Sequence, residues 1–136
     1  MVSSNDCYGF FDMKQLKTLK EYSLVLFGFK PRLLQKKQDN AHSGFSCSKT
    51  DVTEVHIKSL SKAMYGLAGM YYFPDKNIIK LLNNIDCSQY PSVDHFAAYL
   101  LGLGHKIAYI KLKYYVHLGT PEEYKEYEFW KNFYND

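Results

Sequence analysis

The amino-acid sequence predicts a mixed α/β fold, and three patterns lead to this prediction. The first is the apolar run YSLVLFGF at residues 22–29, which is typical of a strand buried on both faces. The second is a pair of alternating segments, FSCSK and VTEVHIK, separated by Thr50 and Asp51, which predicts a β-hairpin lying over the sheet. The third is the helical spacing of apolar residues in the segments between strands. Strands and helices that alternate in this way indicate a mixed α/β class.

The segments before the hairpin predict one strand end and one helix. MVSSND resembles the end of a strand that stops at Asn5 and Asp6. Residues 12–21 place three apolar residues at three-residue spacing behind Asp12, which is a suitable N-cap. We therefore expect a one-sided helix that covers the sheet.

The segments after the hairpin complete the predicted sheet. YGLAGMYYF, at residues 65–73, predicts a strand in which Gly66 and Gly69 leave room for a close approach to the backbone. Two helices follow, DKNIIKLLNN and, capped by Ser92, VDHFAAYLLGLG. KIAYIKL and YYVHL are predicted as the last strands.

The final helix is specified by its first turn. Thr120 can serve as its N-cap, Pro121 suits the first helical position, and Glu123 stands where a capping box needs an acidic residue. Aromatic residues recur along this helix in a stripe that we expect to be buried on the protein's own sheet, docking to a partner being the alternative. The stripe consists of Tyr124, Tyr127, Trp130 and Phe133 or Tyr134.

Composition and charge limit the class of protein. A hydrophobic share of 46% with 17% aromatic residues excludes a disordered chain, since so much apolar surface does not stay solvated. No linker or repeat divides the 136 residues, so we predict a single domain over 1–136. The formal net charge is only +3 and no run of five or six basic residues is present, so nucleic acid is not a predicted partner.

The cysteines and the hydropathy pattern favour a cytoplasmic location. Cys7, Cys47 and Cys87 are odd in number, widely spaced and not arranged as C-x-x-C, so they predict neither a disulfide framework nor a thiolate zinc site. No apolar window approaches the length of a membrane span, and no charged-then-apolar leader opens the sequence. We therefore expect a soluble, cytoplasmic protein without a membrane partner.

Four segments, in order, carry a resemblance to a known family: SSNDCY, SGFSCSKTDVTEVHIKS, YGLAGMYYF and YYVHLGTPEEYKEY. They resemble successive landmarks of the C-terminal two-thirds of the sugar-phosphate nucleotidyltransferases, the group that includes glucose-1-phosphate thymidylyltransferase and its capsule-sugar and phosphocholine relatives. The resemblance covers nearly the whole sequence. It implies a partial Rossmann-like mixed sheet flanked by helices, with the β-hairpin as an excursion.

The resemblance implies a metal site at two positions. In that family a strand ends in an aspartate that holds catalytic magnesium, and Asp6 stands in that place as a catalytic and metal-binding candidate, with Mg²⁺ as cofactor once a complete site is assembled. The alternative is that Asp6 only ends the strand. Many relatives carry a second acidic ligand two residues before Gly-Thr-Pro, where this sequence has His117. His117 is thus a second metal candidate, although a structural histidine is favoured because magnesium prefers oxygen ligands.

The sugar-binding landmarks are retained in part. VTEVHIKS resembles V-x-x-I-x-E-K-P, in which the lysine meets the sugar phosphate, so Lys58 is a catalytic candidate for that contact. An ordinary exposed strand lysine is the alternative. Ile57 replaces the glutamate that meets a sugar hydroxyl in the family. Gly44 fits the sugar-facing glycine, and LAGMYYF resembles the strand A-x-G-x-Y-x-F, which places Gly69 and Tyr71 near the sugar. Ordinary packing of a buried strand is the alternative for these last two residues.

The Gly-rich G-x-G-T-R loop that wraps nucleotide phosphates in this family has no counterpart in the sequence. The resemblance therefore implies the sugar-phosphate and metal side of a nucleotidyltransferase, inactive alone, that would bind a sugar-1-phosphate and an NTP if paired with an N-terminal half. Self-association or a complementary polypeptide is expected, because a detached half-sheet leaves an edge bare. A non-catalytic sugar-phosphate-binding or protein-interaction module is the alternative.

Overall fold

A computed structural model describes residues 1–4, 6–82, 84–86 and 88–135. Over these ranges the strands are β1 (Val2–Ser3), β2 (Cys7–Phe10), β3 (Leu24–Phe29), β4 (Gly44–Ser48), β5 (Asp51–His56), β6 (Tyr65–Tyr72), β7 (Ile107–Lys111) and β8 (Tyr114–His117). The helices are α1 (Lys14–Lys17), α2 (Leu33–Lys37), α3 (Lys76–Leu82), α4 (Val93–Gly102) and α5 (Pro121–Asn135). In the described part of the chain no helix is both long enough and apolar enough to cross a bilayer.

The main sheet is mixed, and the predicted α/β class is confirmed. Its strand order is β1-β6-β3-β7-β5-β4. β3 and β7 run parallel, from Leu24 opposite Ile107 to Gly28 opposite Lys111, whereas the other neighbours are antiparallel. A separate antiparallel ribbon is formed by β2 and β8.

The main sheet closes on itself, which corrects the open, Rossmann-like sheet expected from the sequence. β6 pairs with β3 along one edge and with both β1 and β4 along the other. The predicted hairpin forms from β4 and β5, but it completes a barrel-like ring of five strands instead of lying over the sheet. The ring closes where Gly44 pairs with Gly66, and a Cβ atom on either glycine would overlap neighbouring atoms. Two glycines therefore allow the strands to meet there.

Strand β3 is buried along its whole length, as its apolar run predicts, and it supplies two cores. Leu24 and Leu26 pack in one core with Phe96 of α4, whereas Val25 and Phe27 pack in the other with Leu16 of α1. This alternation follows from the two-residue period of a strand. Each such side chain stabilises the fold by about 1.5–3 kcal/mol through burial. β3 is thus the central element between the two cores.

Helix α1 is shorter than the ten residues predicted from the apolar stripe. Asp12 accepts a hydrogen bond from the backbone N–H of Lys14 at 2.9 Å, so the predicted acidic start is present, although Met13 is the N-cap. Beyond the helix the backbone N–H of Leu19 donates to the carbonyl of Leu16, three residues back, at 3.3 Å. The segment therefore continues as tight turns. Leu16 and Leu19 are still buried, as the stripe requires.

The aromatic stripe of α5 is exposed, so the expectation that it packs on the protein's own sheet is wrong. Trp130 is 44% exposed, and its ring stacks on Tyr134 of the same helix with centroids 6.0 Å apart. The helix is held at its beginning, where Glu123 is buried and Glu126 pairs with Arg32 at 2.6 Å. Helical periodicity shows that one side of a helix is apolar, but it does not show what covers that side.

The thiols of Cys7 and Cys47 are free, and Cys87 lies outside the described residues. Cys7 is buried against β6 and donates to the carbonyl of Ala68 at 2.9 Å. Burial raises the pKa of the Cys7 thiol, and the nearby charge of Asp6 raises it further. Cys7 is therefore a packing residue in its protonated form.

Candidate functional site

A cavity of about 170 Å³ lies between the β2–β8 ribbon, strand β6 and the turn after β5. Five residues that the sequence predicts for the site line it: Asp6, Lys58, Gly69, Tyr71 and His117. They come from four separate segments of the chain, and folding brings them together. A larger cavity of about 250 Å³, between Lys49 and Lys111, contains none of the predicted site residues.

The β2–β8 ribbon places Asp6 beside His117. Cys7 pairs with His117 in the antiparallel register, and the backbone N–H of Leu118 donates to the carbonyl of Asp6 at 2.8 Å. As a result the carboxylate oxygen Oδ2 of Asp6 lies 3.5 Å from Nε2 of His117. The Asp6 side chain is 43% exposed, so it is accessible to a ligand.

Gly69 lies in an irregularity of β6. Between the pairs Leu26–Tyr71 and Gly28–Leu67, β6 contains two more residues than β3. Gly69 there adopts φ of 66°, a left-handed conformation that favours glycine. A Cβ atom at this position would lie 2.6 Å from the hydroxyl of Ser4. This glycine therefore borders the cavity and also makes room for the first segment of the chain.

Tyr71 and Asp94 form a polar pair in the cavity wall. Tyr71 is only 6% exposed, and its hydroxyl donates a hydrogen bond to Asp94 in the first turn of α4. Burial, and then the charge of Asp94, raise the pKa of Tyr71 far above its usual range, so the hydroxyl remains a neutral donor. Sequence reasoning missed Asp94, because an acidic residue in the first turn of a helix is ordinarily explained by the helix dipole.

Lys58 borders the cavity from an irregular turn. It follows β5 and has φ of 48°, so it does not lie in a strand. Its ammonium group donates to the carbonyl of Ala41 at 3.0 Å, and its backbone N–H donates to the hydroxyl of Ser43 at 3.1 Å. The side chain is exposed, which leaves its charge available to an anion. Gly44, in contrast, does not line the cavity and packs against Ala63 and Leu60.

A buried carboxylate, that of Glu123, lies behind His117. Glu123 is only 2% exposed. Its Oε2 accepts from Nδ1 of His117 at 2.6 Å and from the hydroxyl of Thr120 at 2.9 Å, and its Oε1 accepts from the amide of Gln35 at 3.1 Å. The backbone N–H of Glu123 donates to Thr120 Oγ1 at 3.3 Å. One half of the predicted capping box thus forms, while the carboxylate turns into the protein.

His42 completes this buried cluster. It is 5% exposed, and its Nε2 lies 3.4 Å from Oε1 of Glu123, although this nitrogen forms no hydrogen bond with any described residue. Its ring meets that of His117 in an edge-on contact with centroids 4.9 Å apart. Sequence reasoning missed His42, because it lies in a polar connecting segment, 75 residues from His117, with no spacing motif to join the two.

The cluster sets opposite pKa shifts on its two closest members. The hydrogen bond to Glu123 raises the pKa of His117, against a smaller opposing effect of burial. Burial by itself would raise the pKa of Glu123, but the donors on His117 and Gln35, the imidazole of His42 and the hydroxyl of Thr120 together hold it well below its usual range. The contact therefore favours the charged form of both residues, the imidazolium of His117 and the carboxylate of Glu123.

Gly119 of the Gly-Thr-Pro turn permits this arrangement. A Cβ atom at Gly119 would lie 2.6 Å from Nε2 of His117 and 2.7 Å from Oδ2 of Asp6. Both distances are too short for any side chain to be accommodated without movement. The glycine thus allows the two functional groups to approach the turn.

The two residues predicted as metal ligands differ in their suitability for magnesium. Mg²⁺ is commonly held by one or two carboxylates, with phosphate oxygens and waters completing the octahedron. The exposed carboxylate of Asp6 fits this requirement. His117 offers nitrogen, which suits magnesium poorly, and its Nδ1 is engaged by Glu123. Of these two residues, Asp6 is therefore the one that could hold magnesium.

No protein-family model matches this sequence, and no curated protein matches it either. Solved structures do share its fold. A nucleoside-diphosphate-sugar pyrophosphorylase from Vibrio cholerae superposes with a TM-score of 0.57 at 18% identity, over 90% of this chain and 52% of that one. The inositol-1-phosphate CTP transferase of T. maritima superposes with a TM-score of 0.66 at 15% identity, over 93% of this chain and 52% of that one.

A third solved structure belongs to a Bacillus anthracis protein described as a glucose-1-phosphate thymidylyltransferase, in complex with sucrose. It gives a TM-score of 0.66 at 12% identity, over 89% of this chain and 49% of that one. Identities this low show a common fold alone. The chain spans about half the length of each of these three proteins.

We predict that Glu123→Ala strongly destabilises the protein. The substitution leaves His117 and Gln35 without their buried acceptor, and breaking a buried charged pair costs about 3–5 kcal/mol. The control is Glu122→Ala on the neighbouring, exposed position, for which we expect a loss below about 1 kcal/mol. Urea unfolding of both variants measures the difference. Equal stabilities would contradict the role assigned to Glu123.

We predict that His117 stabilises the fold in a defined pH window. Because its pKa is raised from 6.5, its contribution is complete below pH 6.5 and is lost as the pH rises through the folded value. Because the pKa of Glu123 is lowered from 4.5, its contribution is present above pH 4.5 and is lost as the pH falls through the folded value. Both contributions are therefore complete between pH 4.5 and 6.5.

The measurement is the free energy of unfolding of wild type minus that of His117→Gln. We expect this difference to be larger at about pH 5.5 than at about pH 9. A difference that is constant, or that grows with pH, would show that the contact with Glu123 does not favour the protonated form of His117.

Proposed function

We propose that this chain forms the sugar-phosphate and metal side of a nucleotidyltransferase that transfers a nucleotidyl group from an NTP to a sugar-1-phosphate. The observation that carries the proposal is the convergence of Asp6, Lys58, Gly69, Tyr71 and His117 on one cavity. Its support is the fold, which is common to nucleotidyltransferases and a sugar-nucleotide pyrophosphorylase.

The residues of the cavity have distinct parts in the proposed reaction. The ammonium of Lys58 binds the phosphate of the acceptor as a point charge. The Tyr71–Asp94 pair meets a hydroxyl of the sugar, in place of the family's glutamate, whose position Ile57 occupies. Holding the acceptor phosphate in this way aligns its oxygen for attack on the α-phosphorus of the NTP, with pyrophosphate as the leaving group.

Asp6 is the proposed magnesium ligand. Magnesium, when bound, offsets the negative charge that develops on the phosphates during transfer. Asp6 is held beside the cavity by the ribbon of β2 and β8, and its exposed carboxylate leaves space for phosphate oxygens. His117 has a positioning part, because its Nε2 faces Asp6 while Glu123 fixes the other ring nitrogen.

The nucleotide is proposed to bind to a segment outside these 136 residues, on the same polypeptide or on a partner. The sequence contains no G-x-G-T-R loop to cradle a triphosphate, and the fold matches about half of its structural neighbours. We therefore propose that this chain alone catalyses no transfer.

A second candidate function is a sugar-phosphate-binding module without catalysis. Two observations favour it: Ile57 stands where the family has a glutamate, and His117 stands where many relatives have a metal-binding aspartate. Both candidates need the cavity to bind a sugar phosphate. Turnover after reconstitution separates them.

We predict that Lys58→Met weakens binding of glucose-1-phosphate or inositol-1-phosphate by about 10-fold, since a hydrogen bond to a charged group contributes roughly 1.5–3 kcal/mol. Calorimetric titration of the full chain measures the affinity. The matched control is Lys62→Met, because Lys62 is exposed in the following turn and does not line the cavity. An equal effect of the two substitutions, or none, would count against the proposed phosphate contact.

We predict that Asp6→Asn lowers the rate of nucleotidyl transfer by orders of magnitude in a complex or fusion with a nucleotide-binding half, because the carboxylate that would hold magnesium is lost. Release of pyrophosphate from an NTP and a sugar-1-phosphate is the assay. An active complex in which Asp6→Asn has no effect would refute the metal-binding part of the proposal. Steady magnesium-dependent release of pyrophosphate by this chain alone would refute the proposal that the nucleotide binds to a segment outside these 136 residues.

We predict concentration-dependent self-association through the exposed aromatic residues of α5, because large apolar patches in water tend to find partners. Sedimentation velocity should show an average mass that rises with concentration. The double substitution Trp130→Lys and Phe133→Lys should abolish the rise, whereas Lys131→Gln on the same helix should retain it. A wild-type chain that remains monomeric at high concentration would contradict this prediction.

A further inference from the structure

Three residues next to the cavity place ligating atoms together in a way that magnesium chemistry does not explain. His42, His117 and Glu123 each offer one donor atom, and these three atoms lie within 4.8 Å of one another. They come from the loop before β4, the end of β8 and the first turn of α5. Two imidazoles and one carboxylate thus converge from three distant parts of the chain.

His42 gives an independent indication that the cluster binds something. Its side chain is 4% exposed, and its Nε2, although 3.4 Å from Oε1 of Glu123, forms no hydrogen bond with a described residue. Buried polar atoms are nearly always paired, and an unpaired one costs about 1–3 kcal/mol. An ion bound by Nε2 would remove that cost.

We propose that His42, His117 and Glu123 form a binding site for a divalent transition-metal ion of the zinc class. Imidazole nitrogen suits zinc and similar ions, whereas magnesium prefers oxygen. Two histidines with one glutamate are a donor set of catalytic zinc sites, in which the fourth position is open to water or substrate. The site goes beyond the proposed function and stands without it.

One pair of donors already has the spacing that a tetrahedral ion requires. Ligand bonds of about 2.0–2.1 Å place two donors of a tetrahedron roughly 3.3–3.4 Å apart. The distance from Nε2 of His42 to Oε1 of Glu123 is 3.4 Å. Nδ1 of His117 lies 2.6 Å from Oε2 of Glu123 because a hydrogen bond joins them. An ion bound at Nδ1 would displace the proton of that bond to solvent, and Nδ1 and Oε2 would then have to move apart.

Neighbouring groups make the kind of outer contacts to Glu123 and His117 that metal ligands usually have. Ligating carboxylates are usually hydrogen-bonded, and ligating histidines usually donate their second nitrogen to a carboxylate. Gln35, which is buried, donates to Oε1 of Glu123. Nε2 of His117 faces Oδ2 of Asp6 at 3.5 Å. Both outer contacts therefore exist before any ion binds.

An ion can reach the cluster from the cavity, because His42 and His117 line it while Glu123 lies behind them. The open position of the ion would then be accessible to a ligand in the cavity. The zinc-class ion and the proposed magnesium ion share no ligand. Asp6 would ligate magnesium, and it touches the zinc-class site only through Nε2 of His117.

The first test uses the wild-type chain without an affinity tag, titrated with Zn²⁺ and Co²⁺ in the absence of sugar phosphate and nucleotide. We expect one ion per chain, no competition from millimolar Mg²⁺, and a Co²⁺ spectrum without thiolate charge transfer. In the NMR spectrum the imidazole signals of His42 and His117 should shift on Zn²⁺ addition, while those of His95 and His105 should not. An absence of binding, or shifts confined to other histidines, overturns the proposal.

The second test compares two histidine variants, with folding verified by circular dichroism. His42→Gln should weaken Zn²⁺ binding by more than about 100-fold, because even the loss of an outer-shell partner costs about 10–100-fold. His95→Gln is the matched control and should leave the affinity unchanged. His95 lies in α4, away from the cluster, and its ring contacts the hydroxyl of Ser92 at the N-cap. Retained affinity in folded His42→Gln overturns the proposal. If His42→Gln does not fold, the wild-type NMR result decides.

Discussion

The buried carboxylate of Glu123 is the interaction on which the candidate site depends. A charge removed from water must be compensated by donors, and these come from β8, α2 and the cap of α5. The carboxylate therefore ties the beginning of α5 to the strands and fixes the ring of His117. His117 then presents its other nitrogen to Asp6 across the β2–β8 ribbon. The geometry of the cavity is thus connected to a single side chain that lies behind it.

Local patterns predicted the elements of the fold better than its closure. The run at 22–29 and the hairpin were evident because burial on two faces and a two-residue period are properties of short segments. The closed ring depends instead on Gly44 meeting Gly66 across 22 positions, and nothing local specifies that contact. The aromatic stripe of α5 was evident too, but its exposure depends on what surrounds the helix.

Site residues that stand within a recognisable motif were predictable from the sequence. Site residues that only the fold brings together were not. Asp6, Lys58 and Tyr71 stand within segments whose order resembles a family, and the structure places them around one cavity. His42 and Asp94 belong to no such segment and become visible only when distant elements meet. Glu123 was assigned to a helix cap, a reading that accounts for its backbone but not for its buried carboxylate.

NMR mapping on the wild-type chain tests the proposed binding of a sugar phosphate in this cavity. Titration with inositol-1-phosphate should shift the backbone amide signals of Ser43, Lys58 and Gly69 together, in a saturable manner, with the remainder of the main sheet unaffected. A basic surface near Lys30 and Lys113 is another place where a phosphate could collect. Shifts confined to that surface, or no saturable shifts at the cavity, would contradict the account.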